Sequence, residues 1–498
     1  MQKRRIVRLV GSAALIALVV GLLLHNTSRA AVSWTWPSEP VQLAWFYKPP
    51  LNDPAGDTLA AHFDTFILTR ADEKTREQLR ARGETAPFLQ YILAAEVQDP
   101  GSCTAQPYRN QVTFKPGDFC MIRDEHPDWF LRNADGNLIV HMNGDQPYVQ
   151  LDPGHPGWQQ FFLERVREMQ EDVDPASGRT WDGVFLDNID ASLNRFTAIG
   201  VQLARYPDDA SYQAAVESFL HTLYSGYFQP QGRPLHANIT ELRDPAIWDR
   251  YLDNLDGAMQ EGWAVDWGSG YLTAARWEAD LRRAETTQAR GKRMMLIAQG
   301  GADNAEATWQ PFNPRQQFAF ASYLLVTDGA AAFRYADSPY RYIWLYDNYT
   351  LDLGRPLGPR YQDGGVWRRD FERGAVAVDS LTHDAAITLK PTVTIRAPDA
   401  VGIEKSGDVA TFVVERTGGV EAPLTVRYTL GGSATNGTDY AALSGVATIP
   451  AGASATTITV VPRRDSRKEG SETVIATLAG STEYSVGEPA SATATISD

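Results

Sequence analysis

The chain has 498 residues, 46 basic and 61 acidic, with a formal charge of −15, 43% hydrophobic and 21% charged content. That composition excludes a disordered chain, and the length provides for two or more domains. The acidic balance argues against nucleic acid and anionic membrane surfaces as partners.

In chain order, the first segment is a basic start, "MQKRRIVRL", followed by an uncharged apolar run from Leu9 to Leu24 and small residues at Ser28 and Ala30. This is the pattern of a signal peptide over residues 1–30, which implies export to the periplasm, cell surface or medium. The alternative is an uncleaved anchor, the one route by which this chain would engage a membrane.

All 13 tryptophans then lie between Trp34 and Trp367. Within residues 31–385, short apolar runs at 41–47, 64–69, 88–94, 183–187, 235–239, 256–261, 293–298 and 330–335 read as strands. Helical patterns separate several of them. Trp158, Phe161, Phe162, Val166 and Met169 share one face, and Asp244-Pro245 combines a cap with a first-turn proline. Eight strands alternating with helices predict an α/β fold, a (β/α)8 TIM-type barrel, with an open doubly wound sheet as the alternative. A long connection from Glu96 to Pro156 carries Cys103 and Cys120, which in an exported chain are expected to form a disulfide.

The chemistry is expected where barrel strands end, because their C-termini open on one face. "WDGVFLDNID" buries Val184, Phe185 and Leu186 and then delivers Asp187; "DGAMQEGW" ends the sixth strand on Glu261. Two carboxylates converging across a mouth suit glycosidic bond cleavage, in either its retaining or its inverting form, and no cofactor is required. Glu96, Glu241 and Asp337 are competing acids at other strand ends, and Asp190 reads as a helix cap. Trp45, Tyr47, Trp263, Trp267 and Tyr335 are candidates to pack on sugar rings. Asn188, Asn238, Glu241 and Arg334 are candidates for further substrate contacts. There is no phosphate-binding glycine loop, H-E-x-x-H or G-x-S-x-G motif.

After a linker expected at 386–390, residues 391–498 alternate short strands with Gly, Asn and Asp turns, the pattern of an all-β sandwich.

Several segments carry a family resemblance: "HPDWFLRNADGNLIV", "YVQLDPGHPGWQQFF", "WDGVFLDNID", "AMQEGW" and "LDLGRPLGPRYQDGGVWRRDFERGAVAVD". Over Val41 to Asp379 the chain resembles the glycoside-hydrolase-like (β/α)8 proteins. These are exported bacterial barrels distantly similar to endo-α-1,4-polygalactosaminidases and α-amylase-like enzymes. The resemblance implies an Asp after strand four and a Glu after strand six, which map onto Asp187 and Glu261, and β-structure appended near 367–379. The tail, through "GSATNGTDYAALSGVATIPAGASATTITVVPRRDSRKEGSETVIATLAG", resembles a Calx-β domain. That resemblance implies Ca²⁺ ligands at Glu404, Asp439, Asp465, Glu469, Glu472 and Asp498. Arg463, Arg464, Arg467 and Lys468 crowd Asp465, so a spacer or adhesion module is the alternative. The reading is an exported hydrolase of an extracellular or cell-envelope polysaccharide, against a non-catalytic glycan-binding or adhesion protein.

Overall fold

The computed structural model describes residues 41–172, 180–265, 270–300 and 304–498. The expected signal segment and Trp267 lie outside them. Among the described residues no helix is long and apolar enough to cross a membrane.

The first fifteen strands are β1 (Ala44–Tyr47), β2 (Thr65–Leu68), β3 (Phe88–Leu93), β4 (Glu96–Gln98), β5 (Val140–Asn143), β6 (Gln146–Gln150), β7 (Gly183–Asp190), β8 (Leu235–Thr240), β9 (Gly257–Glu261), β10 (Arg293–Gln299), β11 (Ala331–Ala336), β12 (Tyr361–Asp363), β13 (Val366–Asp370), β14 (Gly374–Val378) and β15 (Ala385–Leu389). Eight of them form one sheet in the order β1-β2-β3-β7-β8-β9-β10-β11. Sequential order and parallel pairing are those of a TIM-type barrel rather than of a doubly wound sheet. The ends nearly meet: the Phe333 N–H on β11 donates to Gln42 O, just ahead of β1, at 2.9 Å.

Continuous burial of β3 and β10 explains why these strands lack polar alternation, since a parallel strand is covered on both faces. Inside, Phe46 packs against Tyr91 and Phe185 with ring centres 6.2 and 5.6 Å apart. Gly183 opens β7 because a Cβ there would collide with Pro234 O. The helix Pro156–Glu171 buries Trp158, Phe162, Val166 and Met169, the stripe expected from spacing, while Phe161 sits at its edge. Asp244 caps Pro245–Leu252 by accepting from Ala246 N.

Between β3 and β7 the chain makes a separate antiparallel sheet, β4-β6-β5. The Cys103–Cys120 disulfide is formed there, with a Cα–Cα distance of 5.7 Å.

Strands β12–β15 make a four-stranded antiparallel sheet. The β-structure expected at 367–379 is therefore real but longer. The linker expected at 386–390 is corrected: Ala385–Leu389 is a strand paired along its length with Gly374–Val378. Ile387 and Leu389, two residues apart with Thr388 between them, fit a strand as well as they fit a linker, and only the partner decides.

The C-terminal sandwich follows with β16 (Thr392–Asp399), β17 (Val401–Ile403), β18 (Ala410–Thr417), β19 (Leu424–Gly431), β20 (Val446–Ile449), β21 (Ala455–Val460), β22 (Glu472–Leu478), β23 (Ser485–Val486) and β24 (Ser491–Ser497). Its two sheets run β21-β18-β16-β23 and β17-β24-β22-β19-β20. The alternating inward residues, among them Val393, Phe412, Val426, Tyr428 and Val474, form one core.

Candidate active site

Strand β7 brings Asp187 and strand β9 brings Glu261 to the C-terminal rim, and both side chains are partly exposed. Between them stands Asn238 on β8, itself 2% exposed. Its Nδ2 donates to Asp187 Oδ1 at 3.1 Å and to Glu261 Oε2 at 2.9 Å. One nitrogen thus holds both acids, and those two oxygens lie within about 6 Å of each other.

Asp187 accepts two more bonds. Tyr91 OH on β3 donates to Oδ2 at 2.6 Å, and the backbone N–H of Asn188 donates to Oδ1 at 3.0 Å. Burial, then the negative charge of Asp187, push the Tyr91 hydroxyl well above its ordinary pKa, so it remains a donor. The Tyr91 ring also packs on Tyr47, centres 4.7 Å apart. Burial raises the pKa of Tyr47, which shares a hydrogen bond with Tyr108 from the disulfide-closed connection. Tyr91 and Tyr108 were not among the candidates from sequence. Tyr91 sits mid-strand in "FLQYILA", where a tyrosine reads as core, and its partner is 96 residues away.

The next ring of residues is polar. Asn188 has a left-handed backbone, φ 62°, and Glu241 at the end of β8 has φ 53°. Asn194 Nδ2 donates to Glu241 Oε2 at 2.6 Å. Glu96 is buried, beside His141 Nδ1 at 3.2 Å and hydrogen-bonded by Gln150. Asp190 is not the helix cap expected. It accepts from Thr240 Oγ1 at 2.6 Å and lies 3.0 Å from Arg195 Nε. Burial raises its pKa to about 6; Arg195 and Thr240 oppose the shift, while Glu241 and Glu96 add to it.

Four expected substrate contacts are corrected. Trp45 is fully buried, its indole N–H donating to Lys48 O at 2.8 Å and its ring set edge-on to Phe63. Strand alternation is the reason: Phe46 takes the barrel interior, so Trp45 faces the helices. Trp263 is also fully buried, donating to Ala319 O at 3.0 Å, within the helix Pro314–Val326. Arg334 is 3% and Tyr335 2% exposed. Arg334 stacks on Tyr340, and the Tyr335 ring packs on Trp344 and Tyr346.

A second acid-rich place is on the sandwich. Carboxylate oxygens of Asp439, Glu469 and Glu472 lie within 4.8 Å of one another. Burial, then Asp465, Asp498 and Glu469, raise the pKa of Glu404. Burial, then Asp439, Glu469, Glu404 and Asp498, raise that of Glu472. Of the six acids expected there, Asp439, Glu469 and Glu472 thus come together, and Asp465, Asp498 and Glu404 act on the group through their charge. Three close carboxylates are hard oxygen donors of the kind that suits a cation such as Ca²⁺. Of the basic residues crowding Asp465, Arg467 pairs with Glu469 only distantly, at 3.9 Å.

Comparison with known proteins gives two family matches. The model described as hypothetical glycosyl hydrolase family 15 covers residues 90–375, and that of the Calx-beta domain covers 387–498. Similar solved structures include the glycoside hydrolase domain of PelA from Pseudomonas aeruginosa, at 15% identity over 61% of this chain and 97% of that one, TM-score 0.39. An alpha-amylase from Lactobacillus plantarum is 10% identical over 85% and 99%, TM-score 0.38. The apo-form Calx CBD1 domain is 22% identical over 22% and 97%, TM-score 0.20. No curated protein matches the chain.

Proposed function

The chain belongs to the hypothetical glycosyl hydrolase family 15, and from that premise we propose that its barrel hydrolyses glycosidic bonds with retention of configuration. The observation that carries this is the shared Asn238 nitrogen. It keeps one oxygen of each carboxylate within about 6 Å of the other, an approach that suits the ~5–5.5 Å of a retaining pair better than the ~6.5–9.5 Å of an inverting pair.

Asp187 is the nucleophile. It accepts from Tyr91, Asn238 and the Asn188 N–H, the acceptor role of an ionised acid with a fixed orientation. Its oxygen bonds to the anomeric carbon as the C–O bond to the departing sugar breaks. Glu261 gives its proton to that leaving oxygen. Glu261, now ionised, takes a proton from water, which attacks the same carbon and releases Asp187. Asn238 stays on both acids while charge passes between them. Tyr47 and Tyr108 offer ring surface to a sugar beside the pair.

The substrate is an extracellular or cell-envelope polysaccharide, a reading supported by the signal-peptide pattern. No cofactor enters the reaction. The Calx-beta domain would hold Ca²⁺ through the cluster of Asp439, Glu469 and Glu472, with Glu404, Asp465 and Asp498 beside it. A Ca²⁺ ion supplies the positive charge that relieves their mutual repulsion.

The test is a polysaccharide panel with the first-formed anomer followed by proton NMR. Reducing ends of the substrate's own configuration support the proposal. The opposite anomer rejects retention, and no release across the panel rejects hydrolysis.

A further inference from the structure

Strand β7 pairs with β3 as far as Asp187, but its register with β8 shifts between Leu186 and Ile189. Asp187 and Asn188 therefore sit in a bulge that the β8 ladder does not hold. Bulges re-aim side chains beside active sites, and they need other contacts to fix them. Asn188 also adopts the left-handed backbone conformation, φ 62°, which few residues with a side chain adopt and asparagine tolerates best when its amide is hydrogen-bonded. Its N–H reaches Asp187 Oδ1 in that conformation.

The Asn188 side chain has an anchor. Its Oδ1 accepts from Arg195 Nη2 at 3.1 Å, and the same guanidinium places Nε 3.0 Å from Asp190 Oδ2. Asp190 is 1% exposed and fixed on its other oxygen by Thr240. We propose that Arg195 is a positioning residue: anchored by Asp190, it holds Asn188 and thereby the bulge that aims the Asp187 carboxylate. The proposal rests on the reading of Asp187 as nucleophile. A planar guanidinium can serve two acceptors at fixed angles, which an ammonium cannot.

The experiment uses cyclitol epoxides and aziridines of several configurations. Asp187 opens the three-membered ring, forming an ester to the ring carbon, and the ring heteroatom takes up a proton. Mass spectrometry gives the rate and the site. Removing Arg195 alone would strand the buried Asp190 charge, so the variant is the charge-neutral pair Arg195→Met with Asp190→Asn. Labelling of Asp187 slows about 10- to 100-fold in this pair, as expected for a misaimed nucleophile. Asn188→Gly, which keeps the backbone permissive but loses the anchor, slows it similarly. The triple variant is no slower than either, because both act through one residue. Arg195→Lys falls between. Wild-type rates in the folded pair, or multiplied losses in the triple, overturn the proposal. Failure to label the wild type counts against Asp187 as nucleophile. A crystal structure of the pair then decides the positioning separately: an unchanged left-handed Asn188 with Asp187 still on Asn238 overturns it.

Discussion

The barrel rim and the end of the sandwich both gather carboxylates, but they neutralise them differently. At the rim, neutral donors do the work: Asn238, Tyr91 and a backbone N–H reach Asp187, and Asn238 also reaches Glu261. Directional bonds fix the oxygens where covalent chemistry needs them. On the sandwich, Asp439, Glu469 and Glu472 face one another closely, and the raised pKa values of Glu404 and Glu472 record burial and repulsion. Repulsion of that kind suits an ion without prescribing angles to a fraction of an ångström. The same residue type is thus held by directional neutral donors in one region and left facing its own kind in the other.

The sharpest way to break the comparison is Glu261→Gln. The amide keeps the shape and loses the proton, so kcat should fall about 10²–10⁴-fold while the melting temperature holds. Undiminished turnover would remove Glu261 from the chemistry. Next in size is Ca²⁺ itself. In the full chain, free Ca²⁺ at about a hundred times its Kd should stabilise the sandwich by about 2.7 kcal/mol, read by calorimetry, and Asp439→Asn with Glu472→Gln should erase the shift. A melting curve indifferent to Ca²⁺ would leave the acids as a spacer's surface.

The smallest effect is the pH dependence of the chelator-treated sandwich. Glu404 and Glu472 have folded pKa values above their unfolded ones, so between the two values the folded state binds more protons. Their contribution to stability is therefore favourable at low pH and lost as pH rises through the carboxylate range. Relative to a Glu404→Gln, Glu472→Gln variant, the wild type should gain melting temperature on acidification. A gap between the two that does not change with pH would show the acids to be uncoupled from folding.

Much of this was legible beforehand. Asp187 and Glu261 could be picked because parallel barrel strands all deliver their last residues to one rim. The six sandwich acids followed from the Calx-β resemblance. Trp45 and Trp263 misled for different reasons. For Trp45, burial depends on which phase of the alternation faces the barrel interior, and the two residues that follow it, Phe46 and Tyr47, are aromatic as well. For Trp263, a glycine-rich setting suggested exposure, but a helix carbonyl 56 residues on satisfies its indole. Tyr91 was hidden in an apolar run, and Arg195 in a short helix, Asn194–Thr197, with no periodicity to read.

What the sequence determined alone was the positions of the barrel strands along the chain, the acids at two strand ends and the change of architecture near residue 390, because apolar period and turn chemistry are local. Tertiary structure decided the rest. The pairing of Asp187 with Glu261 passes through an asparagine 51 residues from one and 23 from the other, and only closure of neighbouring strands brings that nitrogen to both. Hydrogen bonds act over about 3 Å, so which acids are partners is a property of strand adjacency, which no local pattern encodes.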